Sequence, residues 1–223
     1  MEFLLDTANL EIIRRYNEIY NITGVTTNPT IISRENCEFF PRLLEIRKII
    51  GDKQLHVQVT ASTMEEMLME AEAIARRIDK GVYIKVPANE EGMKTMKTLK
   101  AQGYNVTATV VYTVQQALMA ANVGADYAAP YFNHICNNTY DAAQVIADMA
   151  KMLTMYHQST KLLAASFRNT TQILQALSAG AEAVTVAPEL YATMLENPFV
   201  NATVQKFSAV WDGLYGKKRI YEL

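Results

Sequence analysis

The sequence predicts an α/β protein: a single (β/α)8 barrel over residues 1–223, with an extra amphipathic helix near its C-terminus. Three observations lead there. Eight short apolar runs recur along the chain, separated by longer stretches with helical spacing. No linker, fixed-period repeat or low-complexity tract interrupts them. The first run, EFLLDT, is not followed by the glycine-rich phosphate turn of a doubly wound open sheet, the alternative topology.

The predicted strands are EFLLDT (2–7), ITGVTT (22–27), LHVQVT (55–60), VYIKVP (82–87), NVTATVVY (105–112), DYAAPY (126–131), KLLAASF (161–167) and AVTVAP (183–188). The clearest helix runs from Met64 to Ile78, with Met67, Ala71 and Ile74 on one face. A second runs from Ala142 to Met155 and aligns Val145, Met149 and Met152. A third apolar stripe joins Val200, Val204, Phe207, Trp211 and Leu214. These methionine and aromatic stripes read as packing faces, not as a cofactor box.

Composition narrows the function. Half of the 223 residues are apolar and a fifth are charged, enough for one sizeable core. Lys plus Arg is 21 and Asp plus Glu is 23, a formal charge of −2. That balance argues against nucleic acid or an anionic membrane as the main partner, and leaves room for a local phosphate-ester pocket. The start, MEFLLDTANLE, lacks the features of a targeting segment, and no run is apolar enough to span a membrane, so a cytoplasmic protein is expected. Cys37 and Cys136 read as free thiols. His56, His134 and His157 form no ligand pattern, so no metal is expected.

A barrel collects its chemistry at the C-terminal ends of its strands. Seven of the eight predicted strands end in polar residues: Asp6; Thr26 with Asn28; His56, Gln58 and Thr60; Lys85; Thr107 and Thr109; Tyr131 with Asn133; Ser166 with Arg168. AVTVAP offers little. Cores exclude polar groups that satisfy nothing, so this convergence points to a site.

Lys85 is the sharpest feature, a lysine inside the run VYIKVP. Burial disfavours the ammonium, and a neutral amine attacks ketones to give a Schiff base. That chemistry needs a proton-transfer group, and Asp6 is the carboxylate at a strand end. Asp6 could instead cap the helix that begins NLEIIRR. Gln58, Thr109 and Tyr131 can hold a water or a substrate hydroxyl. Arg168, before a helix, either grips a phosphate or lies in solvent.

The motifs LDTAN (5–9), GVTTNPT (24–30), IKVP (84–87), Thr-x-Thr (107–109), APYxN (129–133) and AASF (164–167) together resemble the small transaldolase family, and within it the fructose-6-phosphate aldolases. The resemblance implies a (β/α)8 barrel in which Lys85 forms the Schiff base and Asp6 transfers protons. It implies that Thr26 and Asn28 contact the donor, that Thr109 and Tyr131 hold a catalytic water, and that Ser166 and Arg168 lie near the acceptor phosphate. Transaldolases carry Glu where this chain has Gln58 and tend to carry Phe in place of Tyr131, so both positions resemble the aldolase branch. His134 stands where that branch usually has Arg, and a neutral imidazole grips phosphate less well.

The expected activity is class I cleavage of fructose 6-phosphate to dihydroxyacetone and glyceraldehyde 3-phosphate, or the reverse, without a cofactor other than the covalent lysine. One alternative is a transaldolase passing the same three-carbon unit to erythrose 4-phosphate. Another is a sugar-phosphate-binding barrel without catalysis. The resemblance also implies a homo-oligomer, a pentamer or decamer.

Overall fold

The computed structural model describes residues 1–223. Eight parallel strands close into a barrel in sequence order. They are β1 (Glu2–Asp6), β2 (Gly24–Thr26), β3 (Gln54–Gln58), β4 (Tyr83–Pro87), β5 (Asn105–Val111), β6 (Tyr127–Pro130), β7 (Lys161–Ala164) and β8 (Ala183–Val186). Closure is made by β1 pairing with β8, from Glu2↔Ala183 to Leu5↔Val186, so the open-sheet alternative does not apply.

Nine helices connect the strands and two follow β8: α1 (Leu10–Ile19), α2 (Pro29–Arg34), α3 (Phe39–Ile50), α4 (Met64–Arg77), α5 (Glu90–Ala101), α6 (Val114–Asn122), α7 (Phe132–Asn137), α8 (Ala142–Met155) and α9 (Thr170–Ser178), then α10 (Pro188–Leu195) and α11 (Pro198–Tyr215). The turns into the barrel helices end in small polar caps. Asn9, Asn28, Thr63, Asn89, Asp141 and Asn169 each accept a backbone N–H of the first turn, and Thr113 with Gln116 makes a reciprocal capping box.

Side chains alternate along each strand. One parity, including Leu5, Val25, Val57, Ile84, Val106, Leu162 and Val184, is buried. The other meets inside the barrel, where Leu4, Tyr83, Tyr127, Ala129, Leu163 and Ala183 from five strands form one cluster. Below the rim this lumen is polar. Thr107 bonds His56 Nδ1 (2.9 Å), His56 Nε2 bonds Gln54 Oε1 (3.0 Å), Gln54 donates to the Tyr127 hydroxyl (2.9 Å), and Tyr127 donates to Glu2 (2.5 Å). Lys161 closes the chain at Glu2.

Most strands stop earlier than the apolar runs suggested, most clearly β7, which ends at Ala164. Hydrogen bonding continues past the named strands: Thr27 N–H donates to the His56 carbonyl (2.9 Å), Ala165 N–H to that of Pro130 (2.9 Å), and Tyr131, bridged to Ala165, donates to that of Val111 (3.1 Å). The α8 face is also shifted: Ala142, Ile146, Met149 and Leu153 are buried, with Val145 and Met152 at its border. By contacts the chain forms two compact units, Met1–Leu190 and Tyr191–Leu223. In the second, α11 has no buried residue, and Trp211 donates to the Lys218 carbonyl (2.7 Å).

Candidate active site

At the C-terminal ends of the strands the lumen opens into a cleft of about 570 Å³. Its walls include Asp6, Asn28, Arg34, Gln58, Lys85, Tyr131, His134, Ser166 and Thr185. A groove of about 690 Å³ near Lys151, Gly180 and Glu182 is larger, but none of the rim's polar groups lines it.

Lys85 sits mid-strand on β4, only 5 % exposed, and donates one hydrogen bond to the Thr27 carbonyl (2.9 Å). Burial pushes its pKa below the ordinary 10.5, with the charge of Asp6 pulling the other way. Burial pushes the Asp6 carboxyl above its ordinary 3.8, against the pull of Lys85, the Thr26 hydrogen bond and Arg34. Burial thus works against the charged form of each group, and their mutual attraction works for it.

Thr26 and Thr185 fix the carboxyl. Thr26 Oγ1 donates to Asp6 Oδ1 (2.6 Å) and lies 2.6 Å from Thr185 Oγ1. With the Thr26 proton committed to Asp6, Thr185 is the donor in the second bond. Asp6 does not cap the first helix; Asn9 does, accepting from Ile12 N (3.1 Å). Opposite chemistry comes from β3: Gln58 lines the cleft, and its Oε1 is buried without a hydrogen-bond partner in the protein.

A register shift in β5 between Ala108 and Val111 shapes the next wall. Val110 takes φ +61°, a conformation that β-branched side chains avoid. Beside it, Thr109 Oγ1 lies 2.9 Å from the Tyr131 hydroxyl. Burial raises the Tyr131 pKa above its ordinary 10.0, so it remains a neutral donor. His134 packs against Tyr131 (5.5 Å between ring centres) and bonds Ser166 Oγ through Nδ1 (2.8 Å). Ser166, like Val110, has a positive φ, +62°.

Seven of the ten candidates line the cleft: Asp6, Asn28, Gln58, Lys85, Tyr131, His134 and Ser166. Thr26 and Thr109 are fully buried one hydrogen bond behind Asp6 and Tyr131. Arg168 is exposed and is not among the cleft residues; its backbone N–H donates to Gln172 Oε1 (2.8 Å). The expectation that β8 contributes little is corrected, because Thr185 completes the Thr26–Asp6 chain. A single threonine among valines carried no signal in AVTVAP. Arg34, six residues past Asn28 on the same short helix, was also missed. No group of three or more His, Cys, Asp or Glu side chains is placed to hold a metal ion.

Fold and rim together define a (β/α)8 barrel with a buried lysine and a desolvated carboxyl at its strand ends. The chain belongs to the Transaldolase/Fructose-6-phosphate aldolase family, whose signature matches residues 3–217. A probable fructose-6-phosphate aldolase of Streptococcus pneumoniae is 41% identical over 95% of this chain and 96% of its own length. A probable transaldolase of Streptococcus equi subsp. zooepidemicus is 36% identical over 95% and 98%. Among solved structures, a mutant flavocytochrome b2 with benzoylformate superposes with TM-score 0.60 at 15% identity, over 86% of this chain and 58% of that one, a likeness of fold alone.

Proposed function

We propose that this protein is a class I aldolase that cleaves fructose 6-phosphate to dihydroxyacetone and glyceraldehyde 3-phosphate, or joins them. The observation that carries this is Lys85: a desolvated amine with one protein hydrogen bond, opening on a cleft shared with Asp6 and the unpartnered Gln58 oxygen.

Lys85 Nζ attacks C2 of the open-chain ketose, and the carbinolamine loses water to give an iminium. Asp6 takes the proton of the C4 hydroxyl while the C3–C4 bond breaks. The bonding pair flows to the iminium nitrogen, leaving an enamine and releasing glyceraldehyde 3-phosphate. A water oriented by Gln58 and the Thr109–Tyr131 pair then protonates C3. Hydrolysis of the resulting iminium frees dihydroxyacetone and the amine. Thr26 and Thr185 hold Asp6, while Asn28, Ser166 and His134 contact the substrate chain. No cofactor beyond Lys85 enters these steps.

The probable transaldolases among the relatives support a second reading, transfer of the three-carbon unit to erythrose 4-phosphate. Incubation with fructose 6-phosphate alone, coupled to a glyceraldehyde-3-phosphate dehydrogenase, separates the two. Steady release without an acceptor supports the aldolase. Release only after erythrose 4-phosphate is added supports transfer, and silence in both arms rejects both.

We also propose a cytoplasmic homo-oligomer, pentameric or decameric. No helix is long and apolar enough to cross a membrane. Phe207 and Leu214 of α11 are 67% and 73% exposed, on the apolar stripe that a neighbouring copy would cover.

A further inference from the structure

Three strands contribute to one chain of hydroxyl protons. Asp6 on β1 and Thr26 on β2 are register partners. Thr185 on β8 stands opposite Leu4, one lumen layer below Asp6, yet its hydroxyl reaches across β1 to Thr26. Both links are 2.6 Å, at the short end for O–H···O. A hydroxyl has one proton to give, and an ionised carboxylate only accepts. With Asp6 ionised, the protons therefore run from Thr185 to Thr26 and from Thr26 to Asp6. Each donor in such a chain polarises the next, and Thr26 is fully buried, so the bond at Asp6 is strengthened by the one behind it.

The chain makes the two oxygens of Asp6 unequal. Oδ1 accepts from Thr26, whereas Oδ2 accepts no hydrogen bond from the protein, and the residue lines the cleft. Without the Thr185 proton, the Thr26 hydroxyl loses its polarising donor, and the carboxyl is held less firmly.

We propose that Thr185 is a positioning residue that acts through Thr26: it commits the Thr26 proton to Asp6 Oδ1 and leaves Oδ2 as the oxygen that receives the proton of the C4 hydroxyl. In that step the O4–H bond breaks and its proton goes to Oδ2. The O4 pair forms the aldehyde C=O, and the C3–C4 pair flows to the iminium nitrogen. The inference rests on the aldol reading above for the proton that Asp6 accepts.

A pH signature follows. Burial raises the Asp6 pKa, while Lys85 of β4, Thr26 of β2 and Arg34 of α2 lower it; Tyr131 of β6 faces the same carboxyl. A change at Thr185 leaves Lys85, Arg34 and Tyr131 in place and weakens the Thr26 bond. The Asp6 pKa then rises, and a base that must be ionised loses activity at a higher pH.

The test compares wild type with Thr185→Val, which keeps the shape and removes the hydroxyl, and with Thr185→Ser, which keeps the hydroxyl. Thr185→Ala repeats the loss in a second side chain should the valine variant not fold. Cleavage of fructose 6-phosphate is measured across pH. In Thr185→Val, kcat should fall about 3- to 10-fold, the worth of one hydrogen bond, with KM within about twofold. The acid limb of the kcat profile should move up by roughly 0.5 to 1 in pH, and Thr185→Ser should restore both. Carbon-13 NMR titration of the Asp6 carboxyl, assigned with Asp6→Asn, needs no turnover and should show the same rise in Thr185→Val. Equal NMR midpoints in wild type and Thr185→Val overturn the proposal. So does a loss of kcat that leaves the acid limb in place and that Thr185→Ser does not restore, since Thr185 would then only pack. If wild type neither cleaves fructose 6-phosphate nor transfers a unit from it, the aldol reading fails. The NMR midpoints then decide by themselves whether Thr185 acts on Asp6.

Discussion

Lys85 is the residue on which the molecule gives up stability for chemistry. Its side chain is 5 % exposed, and its ammonium keeps one protein acceptor. Because its folded pKa lies below 10.5, the folded state loses stability wherever the amine is charged, and the loss fades as pH climbs towards 10.5. Lys85→Met keeps the shape and removes the buried charge. It should abolish aldol turnover with the fold intact, because relief of the buried amine is offset by the loss of a counter-charge for Asp6. Surviving turnover would argue against this account. Gln58 acts at the same scale. A second negative charge beside Asp6 should favour an enamine that waits for an aldehyde over one protonated by water. Gln58→Glu is thus expected to lower the ratio of cleavage to transfer by about tenfold, some 1.4 kcal/mol of barrier. An unmoved product ratio removes Gln58 from the water-holding group.

At the scale of elements, the site depends on how tightly α5 sits against the end of β4. A Cβ built on Gly92 lies 1.8 Å from the Pro87 carbonyl oxygen, so only glycine lets this helix start where it does, two residues beyond the strand that carries Lys85. In an ordinary helix Gly→Ala stabilises by up to about 1 kcal/mol. Gly92→Ala should do the reverse and destabilise by about 2–4 kcal/mol through overpacking. Thermal unfolding checks the sign, and a melting temperature above wild type would contradict the packing argument. Elements also mark the limit of what the sequence told. Strand order, lumen parity and seven cleft residues were readable, because period-two alternation and polar strand ends are strong local signals. Three things were not. The β5 bulge is a tertiary accommodation, with Val110 forced to a φ its side chain resists. Thr185 looked like an ordinary strand former, and its bond to Thr26 spans strands that are not neighbours. Arg34 reaches the cleft from the last position of α2, outside the strand ends that the period-two pattern reports. The helix cap behaved similarly: the sequence offered Asp6 as a cap, and the geometry assigns that work to Asn9.

At the largest scale, the unit Met1–Leu190 is a closed barrel with a reactive tier above a polar lower lumen. His56 is the hinge between those tiers, 0% exposed and stacked on Tyr83 (4.5 Å between ring centres). Gln54 presents its carbonyl oxygen, so Nε2 carries the proton and Nδ1 accepts from Thr107. Burial, reinforced by the charge of Lys85, holds its pKa well below the ordinary 6.5. The folded protein therefore keeps His56 neutral while the unfolded chain takes up a proton. The stability tied to that neutral ring is present above pH 6.5 and drains as pH falls below it, at up to about 1.4 kcal/mol per unit. Chemical denaturation between pH 7 and 5 should show this slope, and His56→Gln should flatten it. Equal slopes in both proteins would mean that another group drives acid unfolding.

The central claim is the covalent one, and borohydride trapping tests it most directly. The enzyme is mixed with fructose 6-phosphate, reduced, digested and mapped by mass spectrometry. The account predicts a reduced dihydroxyacetone adduct on Lys85, forming faster as pH rises towards the lowered pKa of its amine, with its midpoint below 10.5. Finding the adduct on another lysine, or no adduct while the enzyme turns over, would contradict it.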